Sequence, residues 1–242
     1  GELDVALVPS VELFRQPALS VVSDACIACH GPVLSVRLFC RVAPSRICTL
    51  AVDEGSRTSA ALAQILLYAR FQVVPELEQL PIGAGLADSR ADAVLLIGDR
   101  AMQAAAAHRQ IVWDLGDEWY RWSRLPFVFA MWVARAGVDY AGLGSALSAA
   151  RDQGLAELTR IAETEGPPRG LSASACLAYL RDNLRFVLGP QERRGLERFY
   201  RWSVRLGIVP DGYAGTLFVA PPAGTPTRAQ QAICGRSACG AP

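Results

Sequence analysis

Three hydroxyls and a guanidinium occupy four consecutive positions, Ser56, Arg57, Thr58 and Ser59. They stand where a short β-favouring run, Thr49 to Val52, passes through a polar turn into a helix. Leu62, Ile65, Leu66 and Ala69 recur there at helical spacing, which predicts an amphipathic helix over Thr58–Arg70 with one buried face. Ser56 is placed to cap it, and the backbone N–H groups that follow a cap have no partner inside the helix. A lone Ser there would be read as a cap and nothing more. Three hydroxyls and an Arg beside free N–H groups and a positive dipole end also suit a small anion, a carboxylate or a phosphate.

A second strand–turn–helix unit follows. Ala93 to Ile97 is the clearest buried strand, Gly98-Asp99 ends it, and Asp99 is expected to cap an Ala-rich helix running through Ala107. If the two strands lie parallel in one sheet, both turns fall at its carboxyl edge, where open α/β sheets hold ligands. Ser56–Ser59 and Asp99 then share a crevice, although Asp99 also reads simply as a cap.

Other chemistries find little support. No G-x-G-x-x-G or G-x-x-x-x-G-K-[ST] follows a strand, so dinucleotide and P-loop nucleotide binding have no basis. No G-x-S-x-G elbow exists, and His30 and His108 are the only imidazoles for a Ser–His triad. Cys26-Ile27-Ala28-Cys29-His30 matches the c-type haem attachment pattern, but its surroundings read as strand, where positions 26 and 29 point to opposite faces. No second Cys/His pair stands at zinc-ligand spacing. Neither a metal nor another cofactor is expected.

The remaining elements must carry these turns. Leu3–Pro9 reads as a buried strand with Ser10 at its carboxyl end; Leu19–Ser23 and Cys26–Cys29 read as strand pieces, and Val33–Val42 as a long strand. Phe71–Val74, Ile111–Leu115 and Phe127–Val133 are further strands, the last returning to the first sheet. Asp117-Glu118 reads as a solvated helix start. From Gly142 the pattern turns helical, over Leu143–Glu163, Ser172–Leu188 and Pro190–Leu206, and from Asp211 little regular structure is expected. On the third of these helices, Arg194, Arg198, Arg201 and Arg205 line a face that Glu192 and Glu197 dilute, so it reads as solvated.

Composition bounds the rest. The chain has 242 residues, is 51% hydrophobic and carries a net charge of +1, which fits a well-buried α/β fold and gives no global field for nucleic acid or anionic membrane. All basic residues are Arg. No apolar run is long enough to span a bilayer. Most of the seven cysteines lie in apolar runs, as suits free thiols in a reducing cytoplasm.

Five blocks in order, Gly1–Leu13, Gly31–Phe39 (GPVLSVRLF), Ser56–Ser59, Leu95–Ala101 (LLIGDRA) and Trp113–Ala130, resemble the chorismate dehydratase family of the futalosine route to menaquinone. The likeness covers about Gly1 to Pro210. It implies a two-lobed α/β fold like type II periplasmic binding proteins, with mixed sheets flanked by helices and the ligand between the lobes. One lobe would be residues 45–124, the other residues 1–44 and 125–210, with 211–242 an irregular tail. The implied reaction removes water from chorismate, a dicarboxylate, giving 3-[(1-carboxyvinyl)oxy]benzoate without a cofactor. By the same resemblance Ser10, Ser35 and the Ser56–Ser59 turn face the ligand, with Ser35 nearest the reacting ring. The family has a few dozen residues before the position of Gly1, including a Tyr-x-Asn-x-x-Pro segment of the active site. The present sequence lacks a counterpart, which implies a fragment, a misassigned start or lost activity. Two other readings stay open: a non-catalytic binder of a small carboxylate and, ranked lower, the sister enzyme 1,4-dihydroxy-6-naphthoate synthase. The latter should present a cleft base such as His, whereas His108 lies beyond the Ala-rich helix, away from the turns expected to face the ligand.

Overall fold

The computed structural model describes residues 3–104, 110–139 and 141–213. In chain order the strands are β1 (Val5–Pro9), β2 (Leu19–Cys29), β3 (Val36–Cys40), β4 (Thr49–Asp53), β5 (Glu76–Leu80), β6 (Ala93–Ile97), β7 (Ile111–Asp114), β8 (Phe127–Arg135) and β9 (Arg185–Val187). The α-helices are α1 (Ser10–Arg15), α2 (Arg57–Phe71), α3 (Gly98–Gln103), α4 (Leu115–Ser123), α5 (Leu143–Ala156), α6 (Leu158–Glu165), α7 (Ala173–Ala178) and α8 (Pro190–Arg205).

Two sheets form. The first runs β1-β8-β2-β9 and is antiparallel throughout; the second runs β5-β4-β6-β3-β7. In the second, β4 and β6 are parallel neighbours, with Leu50 opposite Ala93 and Val52 opposite Leu95. The turns that follow them therefore lie at one sheet edge, as the two sequence units require. The return of Phe127–Val133 to the first sheet is also met: β8 lies between β1 and β2.

Helix α2 sits between the sheets rather than on one of them. Leu62, Ala63, Ile65, Leu66 and Leu67 are all fully buried, and the helix touches α1, α4 and α8 as well as β4, β6 and β8. The expectation of a single buried face is too narrow; a helix apolar on most sides is a core helix. Both sheets share one continuous core through it, from Val11 and Phe14 to Leu95 and Trp113.

Several sequence boundaries move. Val33–Val42 was expected in the first segment, but its strand, β3, pairs with β6 and β7 in the second sheet. The first crossover thus precedes β3, near Ser35. Phe71–Val74 is not a strand: α2 runs on to Phe71, Gln72 caps it in a left-handed conformation, and the strand is Glu76–Leu80. That segment is exposed except at Leu80 and pairs only with β4, so an edge strand with charged side chains hid behind a loop-like composition. The Leu143–Glu163 helix breaks at Glu157. The Ser172–Leu188 helix ends in a π-helical turn over Tyr179–Asn183, after which Arg185–Val187 adds to β2. Asp99 is not the cap of α3; Ile97 holds that position and Asp99 is an exposed first-turn residue. Glu118 is not solvated but buried, and it pairs with Arg70, whose guanidinium lies 5.0 Å from the Trp113 ring. Residues 105–109, with His108, and 214–242 lie outside the described residues. Among the described residues no helix is long and apolar enough to cross a membrane.

Candidate functional site

The two strand ends, the start of α2 and the π-helical turn enclose a cavity of about 250 Å³. That is just below the ~300–1,000 Å³ of sites for drug-sized ligands, so it suits a compact molecule rather than a nucleotide. Its polar lining is Ser35, Ser56, Arg57, Thr58, Ser59 and Tyr179; apolar walls include Ile27, Val36, Ile97 and Phe129.

The α2 end presents unladdered N–H groups and hydroxyls to the cavity. Ala60 N–H makes the first helical bond, to the Ser56 carbonyl, so the N–H groups of Arg57, Thr58 and Ser59 precede the ladder. Ser56 stands at the N-cap position, yet its hydroxyl caps nothing: it is 4% exposed and its Oγ has no partner. A buried hydroxyl left without a partner costs about 1–3 kcal/mol. The turn is fixed from below. Asp53, 3% exposed, accepts Gly55 N–H at 3.1 Å and pairs with Arg100.

Thr58 and Ser10 join this turn to the first sheet. Thr58 Oγ1 accepts Val11 N–H at 3.2 Å, and Ser10 Oγ lies 3.5 Å from it while donating to the Val128 carbonyl at 2.6 Å. Ser10 is fully buried and does not line the cavity; its hydroxyl is held in the packing of α1 against β8. Arg57 is 61% exposed along its side chain and reaches Glu12 of α1 at 3.3 Å. It lines the cavity with its charge shared, not buried.

Ser35 is positioned by a different device. Asp114, the N-cap of α4, accepts Gly116 and Asp117 N–H, and the same carboxylate accepts Val33 N–H at 3.0 Å and Leu34 N–H at 2.6 Å. Ser35 N–H donates back to the Val33 carbonyl at 2.8 Å across Leu34, whose φ is +64°. This is a γ-turn of the rarer, strained form, and it is held by four backbone donors converging on one carboxylate. Ser35 Oγ then accepts the Tyr179 hydroxyl at 2.9 Å.

Of the sequence-predicted residues, the structure brings Ser35, Ser56, Arg57, Thr58 and Ser59 into one cavity. Asp99 stays outside the lining, exposed beyond Gly98; burial raises the Tyr179 pKa and the Asp99 charge adds to it. A carboxylate at that rim opposes an anion. Tyr179 itself was missed, because it lies in a run that reads as plain helix and meets Ser35 across 144 residues of chain. Asp114 carried a weak signal, as an N-cap before an aromatic helix start. Among the described residues no cluster of three or more His, Cys, Asp and Glu is grouped to hold a metal ion.

Comparison with known proteins shows the family and the fold. A chorismate dehydratase of Thermus thermophilus is 35% identical over 217 aligned residues, covering 82% of this chain and 79% of that protein. Two crystal structures share the fold alone: protein AF1704 of Archaeoglobus fulgidus, with TM-score 0.65 at 16% identity, covers 86% of this chain and 81% of its own. The periplasmic aliphatic sulphonate binding protein SsuA of Escherichia coli has TM-score 0.60 at 14% identity, over 93% of this chain and 78% of its own. The fold is therefore the periplasmic-binding-protein type, with one antiparallel and one mixed sheet flanked by helices. A family model described as menaquinone biosynthesis matches residues 1–205, and the chain belongs to that family.

Proposed function

We propose that the protein is a hydro-lyase that dehydrates chorismate to 3-[(1-carboxyvinyl)oxy]benzoate. The observation that carries this reading is the Ser56 hydroxyl, buried and unpartnered at the wall of a small cavity beside the free N–H groups of α2. One substrate carboxylate would take those donors, with Arg57 at the rim adding charge. Ile97, Val36 and Phe129 would hold the ring against its planar product form. The C3–H electron pair becomes a ring double bond as the C4–O bond breaks; proton and hydroxide leave together as water, with no net redox change. Aromatisation supplies the driving force, so the protein's work is orientation and stabilisation of the departing oxygen. Ser35 is the hydroxyl assigned to that oxygen. The family relationship and the relative's 35% identity support the reaction class. Of the five described cysteines, four are buried free thiols, which supports a reducing, cytoplasmic setting.

One observation favours a second reading. Among the described residues, none that lines the cavity is Asp, Glu or His, and a binder of a small carboxylate needs no such base. Incubating the protein with chorismate separates the two, with substrate and product followed by absorbance and mass. Product with the mass of chorismate less water supports the dehydratase; saturable binding with no product supports the binder.

A further inference from the structure

Tyr179 opens the π-helical turn Tyr179–Asn183, and single π-turns inside helices recur at functional sites. Here the turn is fixed at its far end, where Asn183 Nδ2 donates to the Pro32 carbonyl at 2.9 Å, just upstream of the γ-turn that carries Ser35. At its near end the phenol donates to Ser35 Oγ at 2.9 Å. The Ser35 backbone is held on every side. Its N–H is bound to Val33, its carbonyl accepts Gly98 N–H at 2.8 Å, and Asp114 fixes the two residues before it. The hydroxyl proton of Ser35 is then the main freedom left to that residue.

A serine hydroxyl has one proton to donate and two lone pairs to accept with. Tyr179 fills one lone pair, and no described protein group accepts the Ser35 proton, although the residue is buried to 9% exposure and lines the cavity. We infer that Tyr179 is a positioning residue which commits Ser35 to donate its hydroxyl proton to a ligand oxygen in the cavity. This rests on the dehydratase reading, in which that oxygen is the departing C4 hydroxyl.

Two physical consequences follow from the arrangement. A hydroxyl that accepts a bond becomes a better donor, because the dipoles in a chain polarise one another. The departing oxygen gains negative charge as its bond to carbon breaks, so the Ser35 donor binds it more tightly in the transition state than in the ground state. Tyr179 must keep its own proton to act this way. Burial pushes its pKa up, and the Asp99 charge adds to that.

The test is a double-mutant cycle on the wild type, Tyr179→Phe, Ser35→Ala and the double variant, read in both chorismate affinity and turnover. Tyr179→Phe keeps the ring and removes only the bond. The expected result is a ~10–100-fold fall in kcat with KM changed less than about threefold, and no further loss when Tyr179→Phe is added to Ser35→Ala. A merely structural Tyr179 gives additive losses, or a rise in KM with a fall in stability, and that overturns the inference. Asn183→Ala, which frees the far end of the turn and leaves the phenol, should give a smaller fall of the same kind; it serves if Tyr179→Phe melts early. If the wild type binds chorismate without turning it over, the dehydratase reading fails. The cycle is then read in Kd alone, where non-additivity sustains the Tyr179–Ser35 coupling and additivity removes it. No binding and no turnover by the wild type removes both.

Discussion

Thr58 Oγ1 accepts the backbone N–H of Val11 at 3.2 Å, so the first turn of α2 is bonded to the start of α1. Two chain segments 47 residues apart meet there, one entering the helix between the sheets and one leaving β1. The junction fixes the cavity wall that carries Ser56–Ser59. It also separates two kinds of hydroxyl in one turn: that of Thr58 holds the fold together, whereas that of Ser56 has no partner among the described residues.

That contrast makes Ser56→Ala informative. Removing an unpartnered buried hydroxyl should leave the melting temperature unchanged or raise stability by up to about 1 kcal/mol. Carboxylate affinity should fall ~10–100-fold, the worth of a hydrogen bond to a charged group. Thermal melts and calorimetry with chorismate check both. Thr58→Val should instead cost about 1–3 kcal/mol, because Val11 N–H then lacks its acceptor.

Glu12 competes with any ligand for Arg57. Its carboxylate, mostly buried, pairs with Arg15 at 2.9 Å and with Arg57 at 3.3 Å. Glu12→Gln should release Arg57 and tighten carboxylate binding by a few-fold, most clearly at low salt, since the guanidinium is largely exposed. A salt titration of Kd in both proteins measures it.

Asp114 and Gly116 hold the Ser35 turn from outside the cavity. Asp114→Ala removes the cap of α4 and the acceptor for Val33 and Leu34, for about 2–4 kcal/mol. Asp114→Asn, which keeps one acceptor oxygen, should lose less. A Cβ at Gly116 would meet the Gly31 carbonyl at 2.6 Å and Cys29 Sγ at 2.7 Å, so Gly116→Ala should cost about 1–3 kcal/mol and lower turnover more than binding. Urea denaturation and steady-state kinetics on the three variants check these outcomes.

Burial pushes the Cys26 and Cys40 thiols up from 9.0 to about 12, and Cys29 is also raised. Their folded-state pKa values exceed the unfolded ones, so the contribution to stability is complete below pH 9.0 and is lost as pH rises towards about 12. The urea midpoint should fall across that window. At pH 8 an alkylating reagent mapped by peptide mass spectrometry should label exposed Cys48 and spare Cys26, Cys29 and Cys40 until the protein unfolds.

Much of the site was readable from local pattern. Ser56–Ser59 announced itself because cap chemistry, helix periodicity and a preceding strand all act within about fifteen residues. The parallel pairing of β4 and β6, and the return of β8, followed from apolar runs that are buried on both faces. Where the local signal was weak, expectation and fold part. Glu76–Leu80 is polar because it is an edge, and Val36–Cys40 pairs with the other sheet because strand composition says nothing about partner choice. Arg185–Val187 left the helix to cover an open strand.

From residues alone came the α/β class, the strand–turn–helix units and a hydroxyl-rich helix start, since each depends on neighbours in sequence. Tertiary structure alone decided which hydroxyls face the cavity. It turned Ser10 towards Val128, left Asp99 outside, and brought Tyr179 to Ser35 over a turn strained at Leu34. Hydrogen bonds between distant segments are set by how the sheets and α2 pack, and no periodicity in a one-dimensional chain encodes that distance.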